Sequence, residues 1–175
     1  MAVAWWASIE IRAPADRVFA LVCTPERLPE WNVSVEHARR VDPAATVCLG
    51  ARAIMTGRLL GQPLESETEV VTFEPPRLFA TRAIRGPRLN TRFVVESAAF
   101  GSRVDVEVSG EVPGGALGAR LAEGFLRKEL SRSLDRLRAL AEREAATAAA
   151  ADAAAEPLEG GDPACWLHLH ESRNG

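Results

Sequence analysis

The 175-residue chain predicts an α+β fold in which a curved antiparallel sheet of seven strands grips one long C-terminal helix. Three observations predict it. Apolar and polar residues alternate in a series of short stretches, the period of half-buried strands. After Pro113-Gly114-Gly115 that period gives way to a helical one. Two short helices, each opening at a proline, stand between the first strand and all the others. Strands joined by tight turns pair as antiparallel neighbours. The apolar stripe of a long helix must be buried, and the concave face of the sheet is the only surface large enough for it.

In the first strand Val3, Trp5, Ala7, Ile9 and Ile11 share one parity, and Ser8, Glu10 and Arg12 the other. Pro14 then stands where proline suits the first turn of a helix, and Val18, Leu21 and Val22 recur at helical spacing beside Phe19. Thr24 as N-cap with Pro25 at the first helical position opens a second short helix, with Leu28 and Trp31 on one face. Residues 33–41 alternate as the next strand, with Val33, Val35 and Val41 on one face. Residues 51–60 form a weaker strand interrupted by Gly57. In 64–74, Glu65, Glu67 and Glu69 face one way and Leu64, Thr68 and Val70 the other. Pro75-Pro76 turns the chain into 77–85, and Gly86-Pro87 joins that strand to 88–99. Gly101-Ser102 marks a tight hairpin into 103–112, where Val104, Val106 and Val108 point inward. A stripe of Leu117, Leu121 and Phe125, then Leu126, Leu130, Leu134, Leu137 and Ala141, predicts a helix over about residues 115 to 145. The division is therefore a ligand-binding domain over 1–147 and an Ala-rich flexible tail over 148–175. The two short helices close the open end of the curl.

Composition narrows the function classes. About half of the residues are apolar, 47%, and the net charge is −3. That argues against a general nucleic-acid binder, which carries a basic excess. No run of apolar residues is long enough to span a membrane, and the alternating N-terminus reads as a strand, not a signal peptide. Cys23, Cys48 and Cys165 are odd in number and far apart, which predicts a reducing, cytoplasmic setting. There is no GxSxG, HExxH, P-loop or GxGxxG following a strand, so hydrolase, metalloprotease and nucleotide-enzyme chemistry find no support.

An I-x-A-P strand end, "ADRVFALV", "TPERLPEW" ending at Trp31, Gly50 ahead of the third strand, and "FEPPRLFA" at 73–80 together resemble the START-like, or SRPBCC, superfamily. This helix-grip group is also called the polyketide cyclase/dehydrase and lipid-transport family. The resemblance covers roughly residues 3 to 145, and its motifs speak for the fold far more than for function. It implies a deep, mostly apolar cavity between the sheet and the C-terminal helix. Relatives bind lipids, sterols, plant hormones or polyketide intermediates. Some cyclise aromatic polyketides, and some serve as sacrificial resistance proteins in enediyne producers. No shared catalytic motif unites them, so no catalytic residue is carried across.

The candidate ligand-binding residues, taken by inward parity, are Trp31, His37, Arg39, Met55, Thr68, Phe79, Thr81, Phe93, Val95, Val106, Leu121 and Phe125. His37 and Arg39 share the parity of the valines of their strand. Inward, they orient a carbonyl or carboxylate or move a proton; if the strand twists or bulges, both reach solvent. Trp31 either stacks on a planar ligand at the cavity mouth or packs its helix onto the sheet, and the two roles are compatible. The arginines of 77–92 suggest an anion site, but the turn at Pro75-Pro76 places Glu69 opposite Arg82, which favours cross-strand charge pairing. Cys165, His168 and His170 lack a fourth ligand for zinc, so no metal and no cofactor are expected.

The expected function is binding of a hydrophobic, polycyclic or polyketide-like small molecule. If catalysis occurs, it is of the polyketide cyclase or aromatase type, acting by mould-like positioning. The alternatives are a self-sacrificing resistance protein, with Gly57, Gly110 or Gly114 as the cleaved glycine, and a partner-binding adaptor. The expected partner is that ligand, with no nucleic acid and no membrane span, in a monomer or weak homodimer.

Overall fold

Seven antiparallel strands lie in the order β1-β7-β6-β5-β4-β3-β2. They are β1 (Ala2–Ile11), β2 (Val35–Arg40), β3 (Arg52–Leu59), β4 (Gln62–Glu74), β5 (Leu78–Arg85), β6 (Leu89–Ala98) and β7 (Gly101–Glu111). The computed structural model describes residues 2–59, 61–111 and 115–155, with side chains for 4–59, 61–111, 120 and 122–153. Strands β2 to β7 follow one another as hairpins. β1 pairs with β7 from Ala2 opposite Glu111 to Ile11 opposite Ser102. β1 and β2 are thus the two edges of the curled sheet, although they are consecutive in the chain. The connection between them must cross the open end, and α1 (Ala15–Cys23), a 3-10 turn (Pro25–Arg27) and α2 (Leu28–Trp31) make that crossing.

The alternating pattern explains which face each strand buries. Trp5, Ile11, Val70, Phe79, Phe93, Val95, Val104 and Val106 are all buried on the concave side. The convex side carries the charges. Arg82 donates to Glu69 at 2.9 Å, Arg85 lies 3.5 Å from Glu65, and Arg52 lies 3.9 Å from Glu67. The expected pairing of Glu69 with Arg82 forms through a bulge: Glu74 pairs with Leu78 at the turn, and the register shifts between Val70 and Thr72 to set Glu69 opposite Arg82. Exposed pairs of this kind contribute about 0–1 kcal/mol each. They favour the correct strand pairing more than they stabilise the fold. At the β6–β7 hairpin Gly101 has φ +143°, and a Cβ there would stand 2.2 Å from the Ile11 carbonyl oxygen. Only glycine fits that approach.

α3 (Gly115–Ala155) lies across the concave face and is buried at Ser133, Leu134, Leu137, Leu140 and Ala141. α1 contributes Val18, Phe19, Leu21 and Val22 to the same core. Complete burial of one such aliphatic side chain is worth about 1.5–3 kcal/mol.

Three details differ from the sequence reading. Thr24 has the extended backbone of a cap but makes no capping side-chain hydrogen bond, and the chain closes a 3-10 turn with Arg27 N–H on the Thr24 carbonyl at 3.1 Å. The long helix continues past 147 to Ala155, because alanine is the best helix former and needs no buried face to continue one. The proposed tail therefore begins as helix over 148–155, and its remainder, with Cys165, Trp166, Leu167, His168 and His170, lies outside the described residues.

Candidate ligand cavity

A cavity of about 200 Å³ opens between the concave face and α3. Its floor is built by strand periodicity: every second residue of β3 to β7 points into the curl, so Met55, Thr68, Phe79, Thr81, Phe93 and Val106 reach it from five neighbouring strands. Its roof is one face of α3, with Leu126, Glu129, Leu130 and Ser133. Its closed end is made by Val22, Cys23, Leu28 and Trp31 of the crossing helices. Trp31 is 2% exposed, donates its Nε1–H to the Leu21 carbonyl at 3.3 Å, and meets Phe93 edge-on at 6.0 Å. It is both the anchor of α2 and a wall of the cavity. Phe19, Phe73 and Phe79 form a second aromatic cluster with centroids 5.9 to 6.5 Å apart.

Seven of the predicted residues therefore line one space: Trp31, Met55, Thr68, Phe79, Thr81, Phe93 and Val106. Val95 is 2% exposed but packs in the core, away from the cavity. Phe125 is 38% exposed. It precedes the buried phase of α3, which runs through Ala122, Leu126, Leu130 and Leu134, by one residue, and one residue is about 100° around a helix. The Leu121 side chain and Gly114 lie outside the described residues.

His37 and Arg39 do not point inward. Val35 pairs with Gly57 but His37 pairs with Thr56, so Glu36 is an extra residue in β2. A bulge of one residue exchanges the two faces of everything that follows. Ala38 and Arg40 then stand opposite the inward Met55 and Ala53, and His37 and Arg39 are exposed. The inward cation is Arg40, at the rim, and it is held: its Nε donates to Glu26 at 2.9 Å and its Nη1 to the Ala45 carbonyl at 2.7 Å.

The polar groups that parity reasoning missed sit mainly where the 32–34 turn, between α2 and β2, meets α3. The Ser34 hydroxyl donates to Glu129 Oε2, Val33 N–H donates to Ser133 Oγ at 3.1 Å, and Ser34 N–H donates to Asn32 Oδ1 at 3.0 Å. Asn32, Ser34, Glu129 and Ser133 all line the cavity. A signal for two of them existed: Glu129 and Ser133 are four apart and interrupt the apolar stripe beside Leu126, Leu130 and Leu134. Thr91 and Ser66 also line it and share the parity of Phe93 and Thr68. Ser66 is satisfied by the Arg85 carbonyl at 3.3 Å. Cys23 lines the closed end, and burial pushes its thiol above the ordinary range; such a thiol is not an activated nucleophile. Gly57 and Gly110 are not among the lining residues. Among the described residues no cluster of three His, Cys, Asp or Glu side chains forms a metal site, and no helix is long and apolar enough to cross a membrane.

Known proteins place this geometry. The family described as "Polyketide cyclase / dehydrase and lipid transport" matches residues 6–142. No curated protein matches the chain. Solved structures share the fold at low identity. A START superfamily protein from Mycobacterium smegmatis is 15% identical with a TM-score of 0.64, over 84% of this chain and 98% of that one. Major latex-like protein 151 from Panax ginseng is 11% identical with a TM-score of 0.66, over 80% and 97%. The di-domain ARO/CYC BexL from the BE-7585A biosynthetic pathway is 20% identical with a TM-score of 0.62, over 82% of this chain and 50% of that one.

Proposed function

The chain belongs to the polyketide cyclase/dehydrase and lipid transport family, and from that premise we propose that it binds a hydrophobic, ring-bearing small molecule between its sheet and α3. The observation that carries this is the apolar cavity, walled by aromatic side chains and bounded at one place by the polar groups of the 32–34 turn and α3. Ligand sites are typically apolar hollows with a few convergent polar groups. At about 200 Å³ the free space lies below the common range of about 300–1,000 Å³. It suits one or two fused rings as it stands, and a larger polycycle requires α3 to lift.

A cyclase or aromatase role is the finer proposal. It is supported by the fold shared with the ARO/CYC protein and by a carboxyl group inside the cavity. A cavity that folds a flexible chain into a reactive geometry accelerates ring closure by orientation, and a positioned carboxylate assists enolisation. The sacrificial alternative has weaker support, since neither described candidate glycine lines the cavity.

The test is titration with N-phenyl-1-naphthylamine, a neutral apolar fluorophore. Saturable binding near one per chain, displaced by aromatic or long-chain compounds, is the expected result. Absence of saturable binding would overturn the cavity reading. Native mass spectrometry of the protein purified from its own source then identifies the occupant. Unaccelerated closure of a reactive poly-β-ketone analogue would leave binding without the cyclase role.

A further inference from the structure

Three charged residues border the cavity, Arg40, Arg52 and Glu129, although the exposed Arg52 side chain turns to the convex face, opposite in direction to the buried Ala53. Both cations are already matched. Arg40 is held by Glu26 and the Ala45 carbonyl, and Arg52 lies 3.9 Å from each of Glu67 and Glu69. Glu129 is not matched in this way. None of the ion pairs among the described residues includes it. Its side chain is only partly exposed, and its contact is the Ser34 hydroxyl on Oε2. That hydroxyl is itself oriented, because Ser34 N–H is fixed on Asn32. The next group along α3, Ser133 Oγ, accepts from Val33 N–H, which leaves its own proton free to donate.

We infer that Glu129 with Ser34 is the specificity handle of the cavity, and that it selects ligands carrying a hydrogen-bond donor, such as a phenol, an enol or an alcohol, against ligands carrying a carboxylate. This rests on the cavity being a binding site and narrows the ligand class within it. The reasoning is one of complementarity. An ionised carboxyl group accepts hydrogen bonds and offers none. Held at an apolar wall, it gains from a donor, and hydrogen bonds to a charged group are the stronger kind. A ligand carboxylate in the same place meets a like charge with little water between them, and both nearby cations are committed elsewhere. The site is therefore built for hydroxylated rings and against fatty-acid anions.

The experiment compares three ligands of one shape: naphthalene, 2-naphthol and 2-naphthoate. Wild type is expected to bind 2-naphthol about tenfold more tightly than naphthoate. In Glu129→Gln the charge is lost and the shape kept, and that ratio should fall to within about twofold, through weaker 2-naphthol binding and tighter naphthoate binding together, with naphthalene affinity unchanged. Ser34→Ala should weaken 2-naphthol less than Glu129→Gln does. Melting curves establish that both variants are folded, and the wild-type ratio stands independently of them. Equal affinity of wild type for naphthol and naphthoate, with naphthalene still bound, would overturn this inference and leave the cavity reading intact. Failure of all three ligands to bind would overturn both.

Discussion

Gly57 shows how one residue can decide where others point. A Cβ at this position would stand 2.0 Å from the Ser34 carbonyl oxygen. The glycine therefore allows β2 to approach β3 where the extra residue Glu36 is accommodated. Gly57→Ala should destabilise the fold by about 1–3 kcal/mol, the range for forced overpacking, as read by urea denaturation. It should also weaken 2-naphthol binding, because Ser34 must move. The same bulge leaves His37 and Arg39 on the solvent side. His37→Phe and Arg39→Met should each change ligand affinity by less than about twofold, well under ~1 kcal/mol. A fluorescence titration checks this, and a loss of tenfold or more would mean that one of these side chains turns into the cavity on binding.

At the scale of elements, the closing helices are tied to α3 by a charge cluster. Arg27 donates to Glu30 at 2.6 and 2.7 Å and to Glu144 at 3.2 Å, and Arg12 N–H donates to Glu142 at 2.9 Å. The hydrogen bonds from Arg27 hold the carboxyl groups of Glu30 and Glu144 below their ordinary value of 4.5. A carboxyl group depressed in the folded state stabilises the fold above its unfolded value, and that contribution is lost as pH falls through its folded value. Arg27→Met should therefore melt earlier than wild type at neutral pH, and the gap should close on acidification below 4.5. The groups are about a third exposed or more, so the effect at neutrality is on the order of 1 kcal/mol or less. Paired melting curves across pH measure it. A gap that stays constant down to strong acid would show that the cluster carries no stability.

Across the whole molecule, the buried part of α3 ends near Ala141, and Ala145 still packs against the core. The helix beyond is alanine-rich and largely exposed to residue 153. We propose that the folding unit ends close to residue 147, as the domain division of the sequence has it. Truncation after Thr147 should leave the melting temperature within a few degrees, since surface changes stay near ±0.5 kcal/mol. Truncation after Leu140 removes Ala141, Glu142 and Glu144 together and should lower it markedly. Differential scanning calorimetry separates the two. A large loss from the first truncation would assign the C-terminal segment a place on the domain.

Sequence periodicity determined which elements form and in what order: all seven strands, the crossing helices and the long helix. It also anticipated the outer-face pairing of Glu69 with Arg82, although a bulge at Val71, between that pair and the turn, is what brings the two opposite each other. It reached the apolar walls of the cavity too, since Phe79, Phe93 and Val106 are buried as their inward parity predicts. What only the tertiary structure decided is where that parity breaks and what a helix face meets. The bulge at Glu36 comes from packing between β2 and β3, which no single-strand pattern records. The phase of α3 comes from the sheet beneath it, and that phase turns Phe125 outward and Glu129 inward. The apolar walls were therefore legible one strand at a time. The polar handle was not, because Ser34 and Glu129 stand 95 residues apart in the chain and meet only when the curl closes on the helix.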